Sequence, residues 1–258
     1  MIKYVSLDLT LNKLCNMNCH YCSAHSNTKE DIIDFALVKN IIGEVHQKYP
    51  KYKINFVLLG GEVTLLHKGK LKEFVDYLCS LEYCGKINIF TNAKMYNEEL
   101  AVLSYYKNVY LRVSMDTLNP IANQRNITSS ELTNTIKRYN LARLCIDSTL
   151  NNITIPYYRE LQDFFYNLGV RLFKIKFERN DAHIIENFTN SRDKFRKYIL
   201  KIMRKDVFYA SDLQLNTVLI TEITPKIDLS LHTVEEHNRN HRNIFGKLPI
   251  INIWECYE

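Results

Sequence analysis

Apolar and polar residues alternate along Lys3–Thr10 with the two-residue period of a half-buried strand. A cysteine-rich loop follows to about Thr28. Phe35, Val38, Ile41, Ile42 and Val45 then recur at helical spacing, behind Asp34 as an N-cap. The apolar run Lys53–Leu59 ends in Gly60-Gly61 and reads as a second strand. Leu71, Phe74, Val75 and Leu78 mark a second helix, and Lys86–Thr91 a third strand. The rhythm repeats. Glu98–Tyr106 reads as helix, Asn108–Met115 as strand, Glu131–Tyr139 as helix and Arg143–Leu150 as strand. Tyr157–Leu168 is a helix closed by Gly169, and Val170–Phe177 a strand.

Strands alternating with helices build parallel β/α units, which bury both sheet faces and curl. Six such strands fall short of the eight of a closed barrel, so the expected fold is α/β, a partial (β/α)6 TIM-like barrel. Beyond residue 180 the rhythm breaks. Arg192–Lys205 reads as a basic amphipathic helix with Phe195, Tyr198, Ile199 and Ile202 on one face. Strand-like pieces follow at Asn216–Ile223 and Leu248–Trp254, around a stretch rich in His, Asn and Arg. The expected organisation is a barrel over residues 1–180, with 181–258 as a C-terminal α/β extension packed on the same domain.

Composition narrows the setting. The 258 residues are 46 % hydrophobic, with 17 Tyr and 12 Phe, enough for a sizeable core. No stretch approaches the ~18 apolar residues of a membrane span, and the N-terminus lacks the apolar block of a signal peptide. A cytoplasmic location without a membrane partner is expected. Thiols stay reduced there, so the seven cysteines are metal ligands, reactive thiols or core residues. A net charge of +6 suits an anionic substrate or RNA, and equally many ordinary enzymes.

The chemistry concentrates in Cys15-Asn16-Met17-Asn18-Cys19-His20-Tyr21-Cys22, a C-x3-C-x2-C run in the loop after the first strand. Three thiolates so spaced can wrap one face of a [4Fe–4S] cubane and leave one iron open to a small molecule. Structural zinc, completed by His20 or His25, is the alternative. The loop lies at the C-terminal end of a strand, where β/α enzymes place their chemistry. Gly60-Gly61-Glu62 follows the second strand. Its glycines allow close backbone approach to a ligand, and its carboxylate can bind an ammonium group.

These two motifs, about 40 residues apart, resemble those of the radical S-adenosylmethionine superfamily, and the resemblance extends over roughly the first 180 residues. It implies one [4Fe–4S] cluster on Cys15, Cys19 and Cys22, and S-adenosyl-L-methionine as the second cofactor. Tyr21 then lies against the adenine, and Gly60, Gly61 and Glu62 grip the methionine amino group. Thr91-Asn92 matches the family's Thr-Asn-Gly, with Ala93 in place of the glycine, and Val63 stands where the family often has proline. Ser114-x-Asp116 resembles the fourth-strand segment that contacts ribose or methionine. Arg125 matches an arginine that pairs with the methionine carboxylate in the peptide-modifying branch, and Thr149 falls near the adenosine.

The implied reaction is reductive cleavage of S-adenosylmethionine to a 5′-deoxyadenosyl radical that takes a hydrogen atom from a peptide or small-molecule substrate. An electron donor such as flavodoxin or ferredoxin would feed it. A glycyl-radical-enzyme activase and a tRNA-modifying enzyme are the alternatives, the latter motivated by the basic stretches Arg192–Lys205 and His237–Arg242. Of the remaining cysteines, Cys79 and Cys145 read as core, Cys84 as a loop residue and Cys256 as a free thiol in a loose tail. Should the tail fold over the barrel mouth, Cys256 becomes a candidate catalytic hydrogen-atom donor.

Overall fold

The computed structural model describes residues 3–19, 21–22, 32–123, 125, 127–177, 208–211, 218–220, 231–232 and 251–257. Strands β1 (Lys3–Thr10), β2 (Tyr52–Leu59), β3 (Cys84–Thr91), β4 (Val109–Ser114), β5 (Leu144–Leu150) and β6 (Leu172–Phe177) lie side by side and parallel. Helices α1 (Phe35–Lys48), α2 (Lys70–Ser80), α3 (Glu98–Leu103), α4 (Ser129–Ile136) and α5 (Tyr158–Asn167) join successive strands. Among the described residues the sheet does not close on itself, which makes it a partial barrel.

Alternation dictates which face the helices cover. Val5, Leu7 and Leu9 of β1 are fully buried, as are Phe56 and Leu58 of β2, Ile87 and Ile89 of β3, and Leu111 and Val113 of β4. They join Val38, Ile41, Ile42 and Val45 of α1 and Leu71, Phe74, Val75 and Leu78 of α2 in one core. The intervening positions make the other face, where Asp8, Thr10, Asn88, Arg112, Ser114, Asp147 and Thr149 mix with the apolar Val57, Leu59 and Phe90.

Local chemistry sets the element ends. The Asp34 carboxylate accepts from the Ala36 and Leu37 N–H groups and starts α1. Thr128 and Glu131 form a reciprocal capping box, so α4 begins two residues before the expected Glu131. Gly169, at φ 107, closes α5: its N–H reaches the Tyr166 carbonyl and the Val170 N–H the Phe165 carbonyl. Helix α3 stops at Leu103 because the Tyr105 and Tyr106 N–H groups tighten onto Val102 and Leu103. Cys84, expected in a loop, is the first residue of β3 and is buried; the Leu81 carbonyl takes its N–H and draws the chain straight into the strand.

The described pieces beyond residue 177 extend this same sheet. β7 (Phe208–Ser211) adds parallel to β6. On the other flank β10 (Ile251–Tyr257) runs antiparallel to β1, followed by β8 (Val218–Ile220) and β9 (Leu231–His232). The strand expected over Leu248–Trp254 is therefore shifted three residues onward, and Asn216–Ile223 is represented by Val218–Ile220. Arg192–Lys205, His237–Arg242 and the zinc-ligand candidates His20 and His25 lie outside the described residues. Among the described residues no helix is long and apolar enough to cross a membrane.

Candidate active site

The pairing of β1 with β2 continues past the strand ends. The Leu11 N–H reaches the Leu59 carbonyl at 2.8 Å, Gly61 N–H the Asn12 carbonyl at 3.0 Å, and Glu62 N–H the Leu14 carbonyl at 2.6 Å. The cysteine loop after β1 is thus laced backbone to backbone onto the Gly-Gly-Glu loop after β2. A Cβ on Gly61 would stand 2.0 Å from the Leu14 oxygen, and one on Gly60 2.5 Å from the Asn12 oxygen. What the two glycines leave room for in the structure is the neighbouring chain, residues 12–14. Asn12, 1 % exposed, ties the loops again by donating from Nδ2 to the Glu62 carbonyl at 2.9 Å.

The Glu62 side chain points inward and is 2 % exposed. Its Oε1 accepts from the Thr64 N–H at 3.1 Å, the Thr64 hydroxyl at 2.9 Å and the Thr91 hydroxyl at 2.8 Å. Its Oε2 accepts from the Asn92 N–H at 2.6 Å. Burial pushes this carboxyl up from its ordinary value, and the bonds from Asn92, Thr64 and Thr91 pull it back. Asn92 carries the link onward, its Nδ2 donating to Asn16 Oδ1 at 2.7 Å and lying 3.9 Å from Cys15 Sγ. Glu62, Thr91, Asn92 and Cys15 are therefore one connected group at the C-terminal ends of β1, β2 and β3.

A second knot forms at the ends of β4 and β5. Asp116, 1 % exposed, accepts on Oδ2 from Arg125 Nε at 2.6 Å and from the Tyr21 hydroxyl. Its Oδ1 accepts from the Thr149 N–H at 2.7 Å and from Arg125 Nη2 at 3.5 Å. The Arg125 guanidinium also lies 5.2 Å from the centre of the Tyr21 ring. Burial works against the Arg125 charge, but Asp116 and Tyr21 outweigh it and its pKa rises. Burial likewise drives the Tyr21 phenol well up, with Arg125 pulling it down and Asp116 reinforcing the rise.

Between the knots sit the thiols. Cys15, Cys19 and Cys22 are in no disulfide and are half-buried, and the Cys22 N–H turns back to the Cys19 carbonyl at 3.1 Å. Burial raises the Cys19 thiol; Arg125 lowers it, and Cys22, Asp116 and Cys15 raise it further, so all four are near neighbours. Among the described residues no three metal-ligating side chains stand gathered at metal-binding spacing. Chemically the donor set fits an iron–sulfur cluster: three reduced thiols on one loop, roofed by an amide donor from Asn92.

Ser114 belongs to the strand end that carries the second knot, two residues before Asp116. It ends β4 in register with Asp147 of β5. Cys256 lies in β10 opposite Tyr4, six residues before Thr10, so about 20 Å of strand separates it from the cysteine loop. The tail is a paired strand, not a loose end, and its register places Cys256 at the far end of β1 from the barrel mouth, which counts against hydrogen-atom donation there. Several partners escaped the sequence reading: Asn12, Asn16 and Thr64, which complete the first knot, and the buried ion pair of Arg112 Nη2 with Asp147 Oδ2 at 2.7 Å. Arg112 was signalled by its position two residues before Ser114, on the same strand face.

Residues 10–164, more than half of the chain, match the family described as the radical SAM superfamily. The sporulation killing factor maturation protein SkfB of Bacillus subtilis is 28 % identical over 177 residues, covering 66 % of this chain and 42 % of its own. Streptococcus suis SuiB bound to S-adenosylmethionine superposes with a TM-score of 0.58 at 15 % identity, over 80 % of this chain and 50 % of that one. SuiB has also been solved bound to precursor peptide SuiA, with a TM-score of 0.55, 15 % identity, and coverage of 80 % and 48 %. The protein anSMEcpe, with bound AdoMet and a Kp18Cys peptide, gives 0.56 at 18 % identity, over 67 % and 51 %. The chain thus spans half or less of the length of SkfB and SuiB.

Proposed function

The chain belongs to the radical S-adenosylmethionine superfamily, and from that premise we propose that it is a peptide- or small-molecule-modifying enzyme working through one [4Fe–4S] cluster held by Cys15, Cys19 and Cys22. The observation that carries this reading is the placement of the three thiols in a loop clamped between two buried carboxylate knots, at the ends of the strands where β/α folds do chemistry. Relatives solved with a precursor peptide, and a relative that is a maturation protein, support a peptide as substrate. The chemistry supplied there when cluster and cofactor are bound is one-electron cleavage of the sulfonium to methionine and a 5′-deoxyadenosyl radical, which removes a substrate hydrogen atom.

The chain's own part is to bind and orient. Glu62 receives the methionine ammonium: Oε2 accepts only the Asn92 N–H among the described contacts and has a lone pair to spare. Arg125 takes the methionine carboxylate through Nη1, since Nε and Nη2 are turned to Asp116. Tyr21 offers a ring face for the adenine, and Ser114 and Thr149 line the same end of β4 and β5. The setting we propose is cytoplasmic, with a flavodoxin- or ferredoxin-type electron donor. Anaerobically reconstituted protein, given dithionite and S-adenosylmethionine, is expected to release 5′-deoxyadenosine slowly even without substrate. Methylthioadenosine alone, or no product, would overturn the reading.

A further inference from the structure

A carboxylate offers about four lone-pair positions to hydrogen-bond donors. The protein itself fills those of Asp116. Oδ2 takes the Tyr21 hydroxyl and Arg125 Nε, and Oδ1 takes the Thr149 N–H and Arg125 Nη2. With four donors already seated, the group has no lone pair left for a ribose hydroxyl or an ammonium. The family resemblance counts this position among the cofactor contacts; the geometry points elsewhere.

The four donors come from different stretches of chain: Tyr21 from the cysteine loop, Arg125 from the segment after β4, and Thr149 from the end of β5. We propose that Asp116 is a positioning residue, which touches no cofactor but fixes the Arg125 guanidinium and the Tyr21 ring as one rigid unit against β4 and β5. This rests on the reading of Arg125 as the partner of the methionine carboxylate. Two-point contact through Nε and Nη2 sets the plane of the guanidinium and, among the described residues, leaves Nη1 for a second anion. The bond to Tyr21 holds the residue between Cys19 and Cys22, so the same carboxylate registers the cluster loop with the arginine. A guanidinium held this way stays charged and aimed before the cofactor arrives, and binding then costs little reordering.

The test is a double-mutant cycle on reconstituted protein, read as the dissociation constant of S-adenosylmethionine from the change it makes in the reduced cluster's electron paramagnetic resonance spectrum. Asp116→Asn and Arg125→Ala are each expected to weaken binding at least about tenfold, and Asp116→Asn/Arg125→Ala no more than Arg125→Ala alone, because the first acts through the second. Additive losses would show that Asp116 does not act on binding through Arg125 and would overturn the proposal. So would wild-type affinity in Asp116→Asn beside a weakened Arg125→Ala; in that case the role of Arg125 stands and only the positioning role fails. Wild-type affinity in Arg125→Ala removes the arginine from the site, and both readings with it. Arg125→Lys covers the case in which Asp116→Asn does not fold. It keeps the charge but not the planar fork, and is expected to lose nearly as much affinity as Arg125→Ala; near-wild-type binding by the lysine variant would sink the proposal.

Discussion

Ala93 adopts φ 50, in the left-handed region, at the position where the Thr-Asn-Gly of related sequences has glycine. Holding alanine there costs roughly 1–2 kcal/mol, and its buried methyl returns up to about 0.8 kcal/mol. Ala93→Gly is therefore expected to leave stability unchanged or raise it by up to about 1 kcal/mol in urea unfolding, and a loss beyond about 1 kcal/mol would contradict the strain argument. The opposite holds at Gly61. An added methyl would meet the Leu14 carbonyl oxygen at 2.0 Å, and that atom belongs to backbone already bonded to the Glu62 N–H. Gly61→Ala must separate the cysteine loop from the Gly-Gly-Glu loop. It is expected to cost several kcal/mol, on the scale of buried overpacking and broken bonds, and to lower the iron retained after reconstitution. Wild-type stability and iron content in this variant would mean that the two loops are not interlocked as described.

Elements were far more legible than the contacts between their ends. The two-residue alternation of β1 and the helical spacing of Phe35, Val38, Ile41, Ile42 and Val45 report burial of one face, which each segment encodes by itself. Hence β1 to β6 and the five helices fall within a few residues of where the pattern places them. The donors to Glu62 and Asp116 could not be read this way. Thr91 is 29 residues from Glu62, and Tyr21 is 95 from Asp116, and only the parallel registry of the sheet brings them together. The motif letters marked the carboxylates but not what holds them. The same is true of Arg112 and Asp147, which meet because β4 and β5 pair in register. Arg112 also lies 5.2 Å from the centre of the Phe90 ring on β3. Arg112→Met takes the guanidinium away from a carboxylate that is 3 % exposed, and is expected to cost about 3–5 kcal/mol. Arg112→Met/Asp147→Leu should recover most of that in urea unfolding, since no buried charge remains. A double variant as unstable as the single one would show that the pair matters for more than mutual neutralisation.

Across the whole molecule the cysteines divide by place. Cys15, Cys19 and Cys22 share one loop at the C-terminal end of the sheet, whereas Cys79 lies on α2, Cys84 begins β3, Cys145 is the second residue of β5 and Cys256 lies in β10 opposite Tyr4. Strand polarity keeps them apart. In parallel strands the first residues of β3 and β5 lie at the opposite end of the sheet from the loop that follows β1, so those thiols cannot complete or duplicate the triad without unpicking the sheet. Burial also pushes the Cys84 thiol up to about 11, so at pH 8 only on the order of one molecule in a thousand carries the reactive thiolate. Two measurements on one preparation follow. Reconstituted protein should hold about four irons per chain, the content of one cubane. Iodoacetamide applied to native apoprotein at pH 8 should then label Cys84 far more slowly than after unfolding, whereas loading the cluster should shield Cys15, Cys19 and Cys22 and leave the Cys84 rate where it was. About eight irons per chain would reveal a second cluster, and protection of Cys84 on loading would place that thiol among its ligands; either result would require the two ends of the sheet to be less separate than the strand register makes them.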